Sequence, residues 1–492
     1  MDERAVVAST ILFSITGASI AIGVLAARGV KALRADTYIV AGRTLGTVVF
    51  FLNTAAVIYS GYTFLGLSGY SYTYGAATIF AWGTSLLGYS LGYLTAPRLW
   101  RIARDNGLLT LSDFIMWRYG SRLLTIASAL TSIIFQLPYI QLQIRSVAII
   151  VDSAAYGSLQ SMHVSIAVFA LVMAYVFMGG MISIALTNVL LGAIMLAAML
   201  GGSWAIIIKY FGSLGGLYEA VERVSALHLV MPGPRGDRPI SWFITASLGT
   251  ALGFWCWSQR IQSLFTAKSS RTVERGMVLG SWYYVLGGLW VTQLGLAAIA
   301  IKAAVGHADY TFLRLADQAF GPIALGLVAS GGVGASLSTA AGLLLDEAST
   351  LSKNILQYIF KDKLSDQRLV WSTRAMVVGF GILGIYLAYT SPALLVDLLL
   401  LGYAGVTQLF PALFLGLYVD LNWREVLVGL AAGLATVTAS YLWNLEKELG
   451  IHSTIIALAV NLAALAFLRA LRKKNNKLAP YASTDLDSTF IE

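Results

Sequence analysis

Apolar runs of about 20 residues recur from one end of the chain to the other, and short polar segments separate them. A helix of about 20 apolar residues crosses the hydrocarbon core of a bilayer, which is roughly 30 Å thick. The pattern therefore predicts thirteen membrane-spanning helices and no separate soluble domain. The predicted spans are 9–27, 47–70, 76–97, 124–151, 164–179, 181–208, 241–265, 277–301, 321–350, 371–389, 393–418, 425–443 and 452–468.

Composition excludes a water-soluble protein. Of the 492 residues, 58% are hydrophobic and 12% are charged, whereas an ordinary soluble domain has about 25% charged residues. The mean hydropathy is +0.75. We therefore expect an all-α integral membrane protein, with one transmembrane domain over residues 1–475. Residues 476–492 are polar and predict a short, disordered cytoplasmic tail.

Basic residues are distributed unevenly between the loops on the two sides of the predicted spans. Of the 33 Lys and Arg residues, 23 fall in one set of alternate loops and 8 in the other. Because basic loops stay in the cytoplasm, this bias predicts a multi-pass cell-membrane protein with its N-terminus outside and its C-terminus inside. The same bias explains the net charge of +9, so no nucleic-acid partner is expected.

The usual signatures of catalysis are missing from the sequence. It has no nucleotide-binding loop, no zinc-binding HExxH and no acyl-transfer GxSxG. The single cysteine, Cys256, excludes an intramolecular disulfide and a cysteine-based metal cluster. We therefore predict a protein that is not an enzyme and that needs no organic cofactor.

Polar and small residues are concentrated near the middle of the second span, which reads NTAAVIYSGYTFLGLSG. Asn53, Thr54, Ser60, Gly61 and Thr63 would allow a helix to unwind there and to turn its carbonyl groups towards an ion. Close packing of neighbouring helices gives the same composition, so the pattern alone leaves both interpretations open.

Hydroxyl groups mark the ninth span, which reads ASGGVGASLSTAAGLLLDEAST. Ser336, Ser338 and Thr339 offer the neutral oxygens that a hard cation such as sodium prefers. A serine in a span also commonly bonds back to its own helix.

The seventh span combines aromatic rings with hydrogen-bond donors. It contains Trp255, Trp257, Gln259 and Arg260. Tryptophans near a span end commonly anchor the helix at the membrane interface, and Arg260 is predicted to extend towards the interface in the same way.

Four segments together resemble the sodium/solute symporter family over residues 36–445. They are ADTYIVAGRTLG, TAPRLWRIARDNGLLTLSDFIMWRYGSR, AKSSRTVERG and ASLSTAAGLL, in the order that the family has. Within the family, YTFLGLSG, LPYIQLQ and LLLLGYAGVTQLFPALFLGLY are most similar to the branch of permeases for monocarboxylates and other small acids.

The resemblance implies a leucine-transporter-like fold with a five-plus-five inverted repeat, formed by spans 2 to 6 and 7 to 11 in a core over residues 47–418. It also implies sodium as the coupling ion. The ligands implied are the backbone carbonyls of Ala56, Tyr59 and Ala335 and the hydroxyls of Ser338 and Thr339.

The sequence departs from the family pattern at three positions. Ile58 and Asn188 stand where relatives carry an aspartate, so the ion-release path and the choice between sodium and proton coupling stay open. Ser258 replaces the usual proline of the seventh span, so the break in that span must come from Gly253 or from side-chain bonding.

Sodium-coupled symport of a small organic solute by alternating access is the function that these features predict, with a monocarboxylate or an amino acid as solute and a monomer in the lipid bilayer as the working unit. Proton-coupled uptake of the same solutes and a transporter-like membrane sensor are the alternatives. The residues predicted to bind the solute are Tyr62, Thr63, Tyr139, Gln143, Arg145, Trp255, Trp257, Gln259 and Gln408.

Arg145 is predicted to offset the charge of a carboxylate solute, because its own span contains no acidic residue near it. An unpaired guanidinium in hydrocarbon costs between about 2.5 and 17 kcal/mol, so it needs a compensating group. The alternatives are a structural ion pair with Asp346, Glu347 or Asp397, or an outward extension of the side chain.

Overall fold

Helices account for all regular secondary structure in the part of the chain that the structure, a computed structural model, describes, namely residues 2–28, 34–360, 364–390 and 395–476. This confirms the predicted all-α class. The predicted tail lies outside the described residues from position 477 onward. The helices are α1 Glu3–Arg28, α2 Ala35–Val40, α3 Thr47–Ile58, α4 Leu67–Tyr74, α5 Phe80–Asp105, α6 Leu111–Tyr119, α7 Arg122–Ala154, α8 Ser161–Ala197, α9 Ser203–Phe211, α10 Leu214–Ser225, α11 Ile240–Leu252, α12 Ser258–Leu264, α13 Ser270–Tyr283, α14 Leu289–Ala300, α15 Thr311–Leu351, α16 Gln357–Ile359, α17 Asp366–Thr390, α18 Leu395–Val406, α19 Phe410–Leu413, α20 Trp423–Leu442, α21 Leu445–Leu449 and α22 Ser453–Asn476.

Each predicted span falls on helical structure, but fewer than thirteen separate helices in the described part of the chain are long and apolar enough to cross a membrane. Among the described residues, nine helices are long and apolar enough to cross a membrane, or ten if one bent pair counts as a span. The protein is thus a multi-pass membrane protein, and thirteen spans stay a prediction. The difference arises because several spans are broken and others are joined end to end.

Two glycines interrupt long helices at predicted span boundaries. Gly180 has φ 56° and ψ −141°, and it divides α8 where the fifth predicted span meets the sixth. Any other residue would be strained at this positive φ, and its Cβ atom would lie 2.3 Å from the carbonyl oxygen of Tyr38. Gly321, with φ 75°, divides α15 in the same way just before Pro322. Both kinks therefore require glycine.

The centre of the molecule is the second part of α15. Every residue from Val328 to Thr350 is buried. Helices α1, α3, α7, α8 and α17 pack around it. A helix that is enclosed on all sides presents even its polar side chains to other protein groups, so the hydroxyls and carboxylates of α15 lie inside the protein.

An ion pair joins the loop between α5 and α7 to the end of α15. Asp113 forms a capping box with Thr110 at the start of α6 and accepts a bond from Lys353 Nζ at 2.6 Å. Asn354 Nδ2 donates to its other oxygen at 2.8 Å, and the Leu109 amide adds a further bond at 2.7 Å. Burial opposes ionisation, but these partners outweigh it and hold the pKa of Asp113 below its ordinary value.

Asp113→Asn is expected to lower the stability of the detergent-solubilised protein by about 1.5–3 kcal/mol at neutral pH, since charged hydrogen bonds are lost. Because the pKa of Asp113 is lowered on folding, its stabilisation is present above the ordinary carboxyl value and is lost as the pH falls through the lowered one. Thermal unfolding should therefore separate the two proteins at pH 7, and the difference should disappear only when the pH falls below the lowered pKa of Asp113.

Asp105→Asn is the matched control for Asp113→Asn. Asp105 pairs with Arg104 at 2.7 Å, but both side chains are more than half exposed. Its loss should cost less than about 1 kcal/mol at any pH. An equal effect of the two substitutions would contradict the role given to Asp113.

Candidate functional site

The second predicted span breaks at mid-depth, between α3 and the turn that leads into α4. The helices on the two sides of the break are bent by 62°. Tyr59 has an extended backbone, with φ −91° and ψ 108°. The amide of Gly61 donates to Gln143 Oε1 at 3.2 Å, whereas in a continuous helix it would donate to the carbonyl of Val57. The break therefore leaves carbonyl groups of α3 open to other partners, which agrees with one of the two interpretations that the sequence pattern left open.

Two hydroxyls of α15 lie against these carbonyl groups. Ser338 Oγ is 2.8 Å from the carbonyl oxygen of Ala56 and 3.1 Å from that of Ala335. Thr339 Oγ1 is 3.4 Å from the Ala56 oxygen and 3.2 Å from that of Val57. The structure thus brings four of the five predicted sodium ligands into one cluster of neutral oxygens, and it adds Val57, which the sequence did not single out.

Tyr59, the fifth predicted ligand, lies at the C-terminal end of α3. Its ring stacks between Tyr283, at 5.2 Å between ring centroids, and Tyr284, at 5.5 Å. Its hydroxyl bonds to Tyr89 at 3.3 Å. These contacts fix the backbone of Tyr59 at the break.

The seventh predicted span is broken as well. Helix α11 ends at Leu252 with Gly253 as its cap, and α12 starts at Ser258. A side chain on Gly253 would lie 2.0 Å from Thr407 Oγ1, so glycine is needed for the close approach of the segment that follows α18. The break therefore falls at Gly253, one of the two origins that the sequence left open for it, the other being side-chain bonding.

A small cavity lies between the two breaks. Tyr62 and Thr63, both predicted to bind the solute, line it together with Ile58 and Tyr59. Its volume is about 20 Å³, which is room for roughly one water molecule. Binding of an organic solute therefore requires the lining side chains to move apart.

Arg260 also lines this cavity, and the prediction that it extends to the membrane interface is wrong. The residue is 2% exposed. Its Nη1 donates to the carbonyl oxygen of Phe254 at 2.7 Å and to the Tyr403 hydroxyl at 3.1 Å. The physical reason is the break. Arg260 lies in the first turn of α12, and the unwound segment before that turn supplies a carbonyl group that accepts a hydrogen bond from its guanidinium.

The tryptophans of the seventh span are buried and do not anchor it at an interface. Trp257 is 0% exposed and contacts the rings of Tyr139 and Tyr403, with centroids 4.9 and 5.1 Å away. Trp255 is 1% exposed and donates to the carbonyl of Gly88 at 2.9 Å. Gln259 is also buried, and neither polar atom of its side chain has a hydrogen-bond partner among the described residues.

Of the nine residues predicted to bind the solute, Tyr62 and Thr63 line the cavity and the other seven do not. These seven are Tyr139, Gln143, Arg145, Trp255, Trp257, Gln259 and Gln408. Gln408 donates to the carbonyl of Ala404 at 3.0 Å and accepts from Asn461 of α22 at 3.1 Å. Arg145 is partly exposed and interacts electrostatically with Asp309, on the turn before α15. Asp309 was not among the carboxylates that the sequence suggested as partners for Arg145.

A buried polar cluster on α15 was missed as a functional feature. Asp346 accepts from Gln136 Nε2 at 3.2 Å and from the hydroxyl of Ser258. Glu347 is fully buried, and its carboxylate oxygens have no hydrogen-bond partner within the described part of the chain. The signal was present, because two adjacent carboxylates follow Ser338 in an otherwise apolar span.

Asn188 and Asn53 meet where α8 crosses α3. Asn188 Nδ2 donates to Asn53 Oδ1 at 2.9 Å, and both residues are fully buried. This crossing therefore has no carboxylate at position 188, the departure from the family pattern that was seen in the sequence.

A sequence model of the sodium:solute symporter family matches residues 38–433. The chain belongs to this family. The match covers both broken spans and α15, so the resemblance seen in the sequence segments is confirmed. The family is one of transporters, not of enzymes.

Relatives with different solutes cover nearly the whole chain. The osmoregulated proline transporter OpuE of Bacillus subtilis is 28% identical, over 90% of each chain. The monocarboxylate transport permease protein of Rhizobium johnstonii is 25% identical, over 89% of this chain and 90% of its own. These two relatives leave the solute of this protein open.

A solved structure of a symporter shares the fold over most of the chain. A substrate-bound, outward-open Na⁺-coupled sialic acid symporter superposes with a TM-score of 0.76, over 94% of this chain and 98% of its own, at 16% sequence identity. The fold is therefore that of leucine-transporter-like symporters.

Proposed function

We propose that this protein is a secondary active transporter that couples sodium entry to the uptake of a small organic solute, a monocarboxylate or an amino acid, by alternating access. The observation that carries this proposal is the cluster of Ser338 and Thr339 hydroxyls on the carbonyls that the break in α3 leaves open. Tyr59, which follows the open carbonyls of α3, lines the cavity, so ion and solute would bind beside one element.

The chemistry of the cluster suits a coupling ion. Its oxygens belong to hydroxyl and carbonyl groups and carry no formal charge, so they fit a hard cation and hold it weakly enough for release into a sodium-poor cytoplasm. The break gives the same backbone two arrangements to choose from, which alternating access requires.

Proton coupling is the second candidate, and one observation favours it. Asp346 and Glu347 are buried carboxylates on the same helix as the proposed sodium ligands. A carboxylate enclosed in a transporter core is a common proton carrier. Sodium remains the better supported ion, because the hydroxyls and open carbonyls bring several neutral ligands together.

The remaining parts of the proposal concern the whole molecule. We propose a single transmembrane domain that works as a monomer, with its N-terminus outside the cell and its C-terminus in the cytoplasm. The only native cysteine, Cys256, is buried, so new cysteines near either terminus can report this orientation through an impermeant label.

The test is uptake into proteoliposomes that contain the purified protein. A panel of radiolabelled monocarboxylates and amino acids is offered under an imposed sodium gradient, an imposed proton gradient, or neither, with the membrane potential clamped. We expect a sodium gradient to drive accumulation that a protonophore leaves unchanged. Accumulation under a proton gradient in the absence of sodium would overturn sodium coupling in favour of the second candidate.

A further inference from the structure

We infer that Arg260 binds the carboxylate of the transported solute, and that the cavity therefore accepts a singly charged monocarboxylate and rejects a zwitterionic amino acid. The inference rests on the proposed function, because it names the solute class that the proposed symporter carries. It begins from a buried arginine that has no opposite charge beside it in the described part of the chain.

Arg260 has no counter-charge in the described part of the chain. It forms no ion pair there, and its Nη1 bonds only to the neutral oxygens of Phe254 and Tyr403. The faces of Phe254, Trp257 and Tyr403 lie 4.5, 5.6 and 5.8 Å from its guanidinium carbon. Aromatic faces compensate a buried cation only in part, so the site retains a positive charge.

The free side of the guanidinium is suited to a carboxylate. The bonds to Phe254 and Tyr403 use Nη1, while Nε of Arg260 is buried and has no hydrogen-bond partner among the described residues. A planar guanidinium offers its N–H groups as a fork that matches the two oxygens of a carboxylate. The neutral hydroxyl of Thr63, in the cavity wall, is a further donor for a bound anion.

The charge of the lining separates acids from amino acids. Arg260 is the only charged side chain among the described residues that line the cavity, and no carboxylate is present there to bind an ammonium group. A monocarboxylate would neutralise Arg260, whereas a zwitterion would bring a second cation into a site that is already positive.

Arg145 is the competing anion partner that the sequence suggested. Its guanidinium already interacts electrostatically with Asp309, and the residue is partly exposed outside the cavity lining. The geometry thus favours Arg260, and the two assignments predict opposite results for the same substitution.

The experiment measures sodium-dependent binding of matched solutes to the purified full-length protein by thermal shift, and their competition for uptake in proteoliposomes. The probes are straight-chain monocarboxylates of two to six carbons, their α-amino acids and their amides. For the wild type, we expect at least one monocarboxylate to bind roughly 10- to 100-fold more tightly than its amino acid and its amide, the range that one charged hydrogen-bonded pair provides.

Arg260→Gln should lose that preference and bind the acid roughly 10- to 100-fold more weakly, while it keeps the wild-type sodium affinity. Arg275→Gln, an exposed arginine in α13, should bind the acid as the wild type does. If Arg260→Gln does not fold, Arg260→Lys carries the test: it keeps the charge but not the fork, so acid affinity should fall about tenfold with the amino acids still rejected.

Unchanged acid affinity in Arg260→Gln, tight binding of amino acids by the wild type, or a loss confined to Arg145→Gln would each overturn the inference. The proposed function fails separately: acid uptake that depends on Arg260 but is driven by protons would remove sodium coupling and leave the inference standing. Sodium-driven uptake that is indifferent to Arg260 would do the reverse.

Discussion

Ser338→Ala and Thr339→Ala are each expected to raise the sodium concentration for half-maximal uptake by about tenfold, and the double substitution to abolish the sodium dependence within the measurable range. The reason is geometric, because each hydroxyl lies within 3.4 Å of a carbonyl oxygen at the break in α3. Each substitution removes one neutral ligand and leaves the others in place. Initial rates of uptake in proteoliposomes, measured against external sodium, check the result.

Ser330→Ala is the matched control for these substitutions. Ser330 is also buried on α15, but its hydroxyl bonds back to its own helix, to the carbonyl of Gly326 at 2.7 Å. Its removal should leave the sodium dependence unchanged. If all three variants behave like the wild type, the oxygen cluster is only a packing contact between α3 and α15.

The positions of the helices could be predicted from the sequence, because an apolar run long enough to cross a bilayer is visible in the sequence itself. Their number could not. Gly180 and Gly321 separate helices without any polar loop, and a 62° bend after Ile58 divides one apolar run into two helices. A kink at one glycine changes neither the hydropathy nor the length of an apolar run, so it cannot be read from the sequence pattern.

The two parts of the site differ in how far the sequence determines them. Ser338 and Thr339 are adjacent on one helix, so they reach the same neighbour wherever that helix packs. Arg145 and Arg260 are both arginines within predicted spans. We predicted solute binding by Arg145 and an interfacial position for Arg260, whereas Arg260 is buried and lines the cavity. The break before α12 decides the matter, since it supplies a carbonyl group that holds Arg260 inside the protein.

Gly61→Ala is expected to reduce transport by more than tenfold and to lower stability by about 1–3 kcal/mol, the usual cost of an extra methyl group in a packed core. The backbone at Gly61, with φ −51° and ψ −32°, would accept alanine, so the effect is steric. A Cβ atom there would lie 2.1 Å from Ser146 Oγ and 2.6 Å from Ser146 Cβ. Helix α7 and the break must then move apart, which displaces the carbonyls that the sodium cluster needs.

Ser146→Gly in the Gly61→Ala background tests this explanation directly, because it removes the two nearest atoms that an alanine would meet and leaves Ser336 Oγ at 2.8 Å. We expect the double variant to recover much of the transport rate and of the sodium affinity. Its stability should stay about 1 kcal/mol lower because of the glycine inside α7. Gly379→Ala, in α17 with no neighbouring atom within 4 Å of the added carbon, should behave as the wild type. Uptake rates and thermal unfolding of the four proteins form a double-mutant cycle, and additive effects of Gly61→Ala and Ser146→Gly would refute close packing of the break against α7 as the cause.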